Sequence, residues 1–287
     1  MTSFKHSGHL GDLIASMPTI REYNRKTGKE VVLYLGRNVV ALFPEGVTHP
    51  TKNGDTMVML NDEMIKMITP LLECQPYIKE VRVHNGEDID IDLDVIRVHP
   101  HNQPFGCLER WYFYHYPDLA CDLSEQWLTV PDSERNIAKG KIIVTRTERY
   151  TNPYIDYSFL KEFEDDLLFS GTMREYNNFC MNFDLNIRKL NIDNFLELAQ
   201  AMRQAKFHLS NQTMAFQIST GLKIPRVVEL CAHAPNVIPY GKEAYDFYNQ
   251  DHLEYYFFKL NGMEDEMIKR YTEKAKTSPS KVIGEAL

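Results

Sequence analysis

Short apolar runs alternate, over roughly the first hundred residues, with stretches whose apolar positions recur every three to four residues. Residues 2–7 read as a first strand that ends at Gly8, and Leu13, Ile14, Met17 and Ile20 then repeat at helical spacing. Pro18 falls inside this pattern and predicts a late helix start or a kink, because proline has no N–H to give the preceding turn. Residues 30–35, apolar and rich in β-branched side chains between Gly28 and Gly36, read as a buried strand. Residues 56–60 read as another strand and 62–73 as an amphipathic helix. Residues 79–84 and 91–97 complete the series as strands. Strands alternating with helices imply βαβ units and a mostly parallel sheet.

The pattern breaks at the polar run Pro131-Asp132-Ser133-Glu134-Arg135-Asn136, followed by Gly140. A domain boundary is placed there, giving an acceptor-side domain of residues 1–135 and a nucleotide-sugar domain of residues 136–287. Beyond it the alternation restarts. Strands are predicted at 141–145, 167–170, 207–209 and 226–230, and helices at 157–165, 173–183, 193–204 and 213–220, with a terminal helix at 263–276. The expected fold class is α/β, with two Rossmann-like halves. In such open sheets ligands bind at the carboxyl ends of the strands, so the cleft between the halves is the expected site.

Composition narrows the partners. Apolar residues make up 43% and charged residues 25% of the 287 residues, enough for a sizeable core. No apolar run is long enough to span a membrane, and the first six residues carry no signal-peptide stretch, so a cytoplasmic protein is expected. The five cysteines are scattered and form no CxxC pair, which reads as reduced thiols. A net charge of −8 lowers the expectation of a polyanionic partner without excluding a local basic cleft.

The turn Gly8-His9-Leu10-Gly11-Asp12 joins the first strand to the first helix. Its glycines let a ligand come close to the backbone, and Asp12 is a candidate general base at the cleft. An N-cap role would explain the same aspartate. The glycine spacing is not that of a dinucleotide-binding GxGxxG. Far downstream, Ser210-Asn211-Gln212-Thr213 precedes an apolar helix closed by Gly221. Its free N–H groups and helix dipole suit a diphosphate, with capping again the plainer reading.

The stretch from Gly8 to Arg21, read with Lys206-Phe207-His208-Leu209-Ser210-Asn211-Gln212-Thr213-Met214-Ala215 and Lys223-Ile224-Pro225-Arg226-Val227-Val228, resembles the ADP-heptose:lipopolysaccharide heptosyltransferase family. The resemblance implies a GT-B glycosyltransferase with a Gly-Asp turn at its base and a phosphate-facing helix in its second half. It implies Asp12 and His9 as catalytic residues, and Gly11, Asn211, Gln212 and Thr213 on the donor side. The loop Thr145-Arg146-Thr147-Glu148-Arg149-Tyr150 corresponds to one that contacts the donor diphosphate in the family, with Thr145 and Arg146 or Arg149 in that role; solvated loop arginines are the plainer alternative. Gly171 would admit a base or ribose, and Glu229 would accept a ribose hydroxyl. The sequence departs from the family where Asn211, Thr213 and Phe216 stand in place of its aspartate, glycine and histidine.

Asp88, Asp90, Asp92 and Asp94 alternate with apolar residues, which marks a half-buried strand or loop more than a metal-binding DxD. The histidines His99 and His101 lack an HExxH arrangement. The run Trp111-Tyr112-Phe113-Tyr114-His115-Tyr116 is mostly packing, with one or two rings available to an acceptor. The expected activity is therefore inverting transfer from a nucleotide sugar, without metal or other cofactor. The acceptor would be a surface glycan, a lipid-linked sugar or a modified DNA base. The alternative is a GT-B-like module that binds a nucleotide sugar without turning it over.

Overall fold

The computed structural model describes residues 1–42, 51–98 and 105–277. Strand β1 (Thr2–His6) leads into α1 (Leu10–Thr27) and back to β2 (Val31–Leu35). A hairpin of β3 (Lys52–Asn53) and β4 (Thr56–Met57) precedes α2 (Asp62–Glu73), β5 (Ile78–Val83), β6 (Ile91–Asp92), α3 (Val95–Val98) and α4 (Leu108–His115). The second half runs β7 (Ile142–Thr145), a 3-10 segment (Ser158–Asp166), β8 (Leu167–Phe169), α5 (Met173–Phe183), β9 (Arg188–Lys189) and α6 (Phe195–Gln204). It continues through β10 (Phe207–Asn211), α7 (Met214–Leu222), β11 (Arg226–Glu229), β12 (Ala244–Phe247), α8 (Gln250–Leu260) and α9 (Glu264–Thr277).

Two parallel sheets result, in the orders β5-β2-β1-β6 and β12-β11-β10-β7-β8-β9. In each, the first strand of the half lies inside the sheet and later strands are added on both sides of it. That creates a switch point at the carboxyl end of the first strand, beside β6 in one sheet and β10 in the other.

Helix α1 carries Pro18 in mid-helix, with no late start. An interior proline costs about 3 kcal/mol. Every residue from Leu13 to Ile20 is buried, however, so tertiary packing on all sides outweighs the lost hydrogen bond. The same helix joins the halves. Gly11 lies against the first residue of α7, where a β-carbon would stand 3.8 Å from the Met214 Cα. The carbonyl of Gly221 accepts the N–H groups of Trp127 and Leu128 at 3.1 and 3.0 Å, which ties the connecting segment onto α7. One apolar core therefore runs from Phe4 and Ile14 through Leu128 to Ile143 and Ile218.

Three expectations change. Residues 56–60 form not a sheet strand but one arm of a small antiparallel hairpin, turned by Gly54 at φ 58°. The strand expected at 91–97 stops at Asp92 and turns into α3. There Asp90 binds the N–H and hydroxyl of Ser3, and Asp92 and Asp94 pair with Lys5, so the carboxylates hold the sheet edge. Residues 158–166 wind as 3-10 helix instead of α-helix.

Candidate active site

The carboxyl end of β1 builds the first half of the site. Its last residue, His6, is buried and accepts the Gly8 N–H on Nδ1 at 3.1 Å. Its Nε2 therefore carries the proton of the neutral ring and meets the Tyr112 hydroxyl at 2.9 Å. Tyr112 in turn donates to the Asp12 carbonyl at 3.0 Å, so α4 fixes the first turn of α1 from outside the sheet. Asp94 accepts the Ser7 N–H at 2.6 Å and holds the turn from the other side.

Asp12 is not the N-cap of α1. His9 occupies that position, without a side-chain capping bond, and Asp12 sits in the first turn, where the helix dipole favours a carboxylate. Its side chain forms an ion pair with Arg97 of α3. Burial pushes the Asp12 carboxyl up, but the positive charge of Arg97 above all, with a smaller part from Arg149, outweighs burial and holds it below the usual carboxylate range. Gly8 makes the pair possible, since a β-carbon there would fall 2.5 Å from the Arg97 guanidinium.

The second half positions its candidates differently from expectation. Asn211, fully buried at the end of β10, accepts the Thr147 N–H at 3.0 Å. Its amide nitrogen donates to the carbonyls of Thr147, Arg149 and Tyr150 at 3.1, 2.8 and 3.3 Å. Gln212 donates to the Ala234 carbonyl and the Asn236 side chain at 2.6 and 2.7 Å and accepts the Cys231 N–H at 2.7 Å. Both amides are thus bonded to the protein's own loops. Thr213 caps α7 by accepting the Phe216 N–H at 3.1 Å, and Gly11 packs on the helix start, so no ligand-sized gap separates the two there.

Arg146 and Glu229, both expected on the ligand, bind each other. The guanidinium donates to the carboxylate at 2.7 and 3.0 Å and lies over the Tyr157 and Phe183 rings. Glu229, with no exposed surface, also accepts the Tyr157 hydroxyl at 2.7 Å and the Asn152 N–H. Thr145 is buried with its hydroxyl 3.1 Å from His208. Gly171 packs against Phe169 and Glu175, with room for no β-carbon. Nearby, a polar cavity of about 200 Å³ opens between the 146–151 loop and α5, lined by Thr147, Glu148, Thr151, Glu175, Asn178 and Asn182 among others.

Arg149 lies in the loop that follows β7. Its charge acts on both Asp12 and His9, and it lies 5.2 Å from the centre of the Tyr150 ring. Tyr150 takes a left-handed backbone conformation, φ 51°, a strain of roughly 1–3 kcal/mol for a bulky residue. Asp12 and Arg97 from the first half both act on its hydroxyl. Asp12 and Arg97 are thus paired beside His9 at the carboxyl end of β1, and Arg149 and Tyr150 of the loop after β7 lie near enough for their charges to act on them. Residues His99 and His101 lie outside the described residues.

The whole chain has solved counterparts. An Escherichia coli ADP-heptose lipopolysaccharide heptosyltransferase II is 12% identical and superposes with a TM-score of 0.57 over 96% of this chain and 100% of its own. The E. coli heptosyltransferase WaaC, solved with ADP-2-deoxy-2-fluoro heptose, is 11% identical, with a TM-score of 0.55 over 95% and 99%. A family 9 glycosyltransferase from Veillonella parvula is 11% identical, with a TM-score of 0.54 over 95% and 96%. No protein-family model and no curated sequence matches. The fold is GT-B.

Asp12, which the sequence marks, is thus accompanied by three residues that it does not: Arg97 as ion-pair partner, the buried Tyr112 behind the turn, and Tyr150 in the loop after β7. The signals available for those three were a basic residue after the aspartate run and two tyrosines in aromatic or basic company. Among the described residues no three His, Cys, Asp or Glu side chains gather as a metal-binding group, and no helix is long and apolar enough to cross a membrane.

Burial keeps the cleft histidines neutral. Desolvation lowers His6 and His9 from the ordinary 6.5 to about 4, and His208 beneath the second sheet to about 3. Between pH 6.5 and about 4 the unfolded chain binds protons that the folded chain refuses, so stability rises with pH across that window. Glu109, whose carboxyl burial raises, acts in the opposite sense, but it is one group against three. The urea midpoint is expected to fall steadily from pH 7 to pH 4.5, and a level profile would show that these rings protonate in the fold.

Proposed function

We propose that this chain transfers a sugar from a nucleoside-diphosphate donor to an acceptor hydroxyl, with inversion. Asp12 takes the acceptor proton as the hydroxyl oxygen attacks the anomeric carbon. The bond from that carbon to the diphosphate breaks, and its electron pair leaves with the diphosphate. Arg97 holds one side of the Asp12 carboxylate and keeps it ionised, ready to accept a proton. Arg149 meets the charge that grows on the leaving group, a role suited to its fork of donors. His9 stays neutral beside them and adds hydrogen bonding without a competing charge. No metal ion enters the proposal.

What supports this reading is the place of Asp12, on the first turn of the helix that follows β1 and ion-paired with Arg97, in a GT-B fold. The polar cavity beside α5 is where the nucleoside end would rest. ADP-sugars are the first donors to test, because the E. coli relative was solved with one, and a glycan hydroxyl is the corresponding acceptor. The modified DNA base considered from the sequence has no counterpart among these relatives and is set aside.

A thermal-shift series with ADP, UDP, GDP, CMP and their sugars tests the reading. A ligand that binds only the folded chain stabilises it by about 2.7 kcal/mol at a hundredfold excess over Kd, so the melting temperature should climb with concentration. Silence from every nucleotide would overturn the proposal. A second reading, a binding module without turnover, is favoured by one fact: Asn211, Gln212, Arg146 and Glu229 are all spent within the protein. Tight nucleotide binding with no hydrolysis and no transfer over a panel of glycan acceptors would select it.

A further inference from the structure

We infer that Asn211 is a positioning residue: it straps the 147–150 loop so that Tyr150 is held left-handed and Arg149 is kept in place over the Tyr150 ring. The inference rests on the proposed anion-binding role of Arg149 and assigns Asn211 a part different from contact with the donor.

The geometry is that of a clamp. The single Asn211 side chain, buried beneath the loop, receives one backbone N–H from Thr147 and offers its amide hydrogens to three carbonyl positions, at Thr147, Arg149 and Tyr150. The Thr147 hydroxyl adds a bond to the Arg149 carbonyl at 3.2 Å, closing the loop on itself. A loop of this length that bends back on one side chain must reverse direction tightly. Here Tyr150 supplies the reversal at φ 51°, a conformation that glycine adopts freely and a tyrosine does not. Of the other described non-glycine residues with positive φ, Asp184 and Lys223 sit at helix ends, where a left-handed residue is ordinary, while Asn38 and Glu243, both small or flexible and polar, lie in a bend and a turn. Tyr150 has no helix to end. Its strained conformation is sustained by Asn211, and with it the direction of Arg149.

An aspartate at 211 would not serve. Its second oxygen would face three carbonyl oxygens in place of the amide that now donates to them, and a buried acceptor among acceptors repels. The asparagine gives up charge and gains the two donors that the strap requires.

The test uses the full chain and inorganic pyrophosphate, the portion common to all nucleoside diphosphates, with binding read by calorimetry and loop order by hydrogen exchange at the Thr147 amide. Arg149→Ala should weaken pyrophosphate about 10- to 100-fold while Thr147 stays protected. Asn211→Ala should weaken it comparably and expose Thr147. Asn211→Ala/Tyr150→Gly, in which glycine takes the left-handed conformation unaided, should recover most of the affinity. If Asn211→Ala melts below the assay temperature, Asn211→Ser carries the same two readouts, because it is uncharged and too short to reach the loop positions that the asparagine amide spans. Unchanged Thr147 exchange on removing the Asn211 amide overturns the strap, as does, where Arg149→Ala weakens pyrophosphate, unchanged affinity in Asn211→Ala or a double variant that stays as weak as the single one. Normal binding by Arg149→Ala, with Thr147 still exposed in Asn211→Ala, strikes the anion role of Arg149 and leaves the strap standing.

Discussion

Asp12→Asn is expected to lose about 10²- to 10⁴-fold in turnover while binding the donor nearly as well as the native chain. The substitution is isosteric and leaves an oxygen for Arg97 to bind, so the first turn of α1 should keep its place beneath Tyr112 and Gly8. What disappears is the negative charge and the capacity to take a proton. Because Arg97 holds the carboxyl below its usual range, the base is fully ionised at neutral pH, and its own titration would cut activity only in stronger acid. Loss of activity between pH 6.5 and about 4 would instead follow the stability of the cleft histidines. Steady-state rates and donor affinity measured on the same preparation separate the two parameters. Transfer that persists at the native rate in Asp12→Asn would remove the base from the mechanism. Loss of donor affinity alone would turn Asp12 into a binding residue.

How far the sequence can be read depends on how local each feature is. Helices α2 and α5 are readable to their ends, because period and caps lie within one segment. Asn61 accepts the Met64 N–H, and Thr172 with Glu175 forms a reciprocal capping box. Helix α4 is hidden by a run of aromatics with no clear period. Strands β9 and β12 are too short or too exposed to leave a pattern. The Gly11-Asp12 turn is legible for the same local reason as α2 and α5. Arg97 is not, since its partner lies 85 positions away and the contact exists only once β6 stops early and α3 turns back.

The second half shows a different limit. Asn211, Gln212, Arg146 and Glu229 have the chemistry of a nucleotide site, and a sequence cannot tell a donor that faces a ligand from one that faces its own chain. Asn211 meets Thr147 across 64 positions and Arg146 meets Glu229 across 83. The polar character of each residue and its place near a strand end are visible in the sequence. That the partners are one another is not.

The second large effect follows from that pairing. Glu229→Ala should destabilise the fold by about 3–5 kcal/mol, read as a lowered urea midpoint at neutral pH. The carboxylate is completely buried and takes hydrogen bonds from Arg146, the Tyr157 hydroxyl and the Asn152 N–H, so its removal strands a cation and two donors together. Arg146 could not reach water easily, being held over the Tyr157 and Phe183 rings. Removing both charges, as in Arg146→Met/Glu229→Leu, should restore much of the loss, because a buried ion pair contributes little net stability over apolar residues of similar volume. This pattern distinguishes a structural pair from a donor site. If Glu229 served chiefly to hold a ribose, Glu229→Ala would melt within about 1 kcal/mol of the native chain and show its defect in nucleotide affinity. The four bonds converging on one buried carboxylate favour the first outcome.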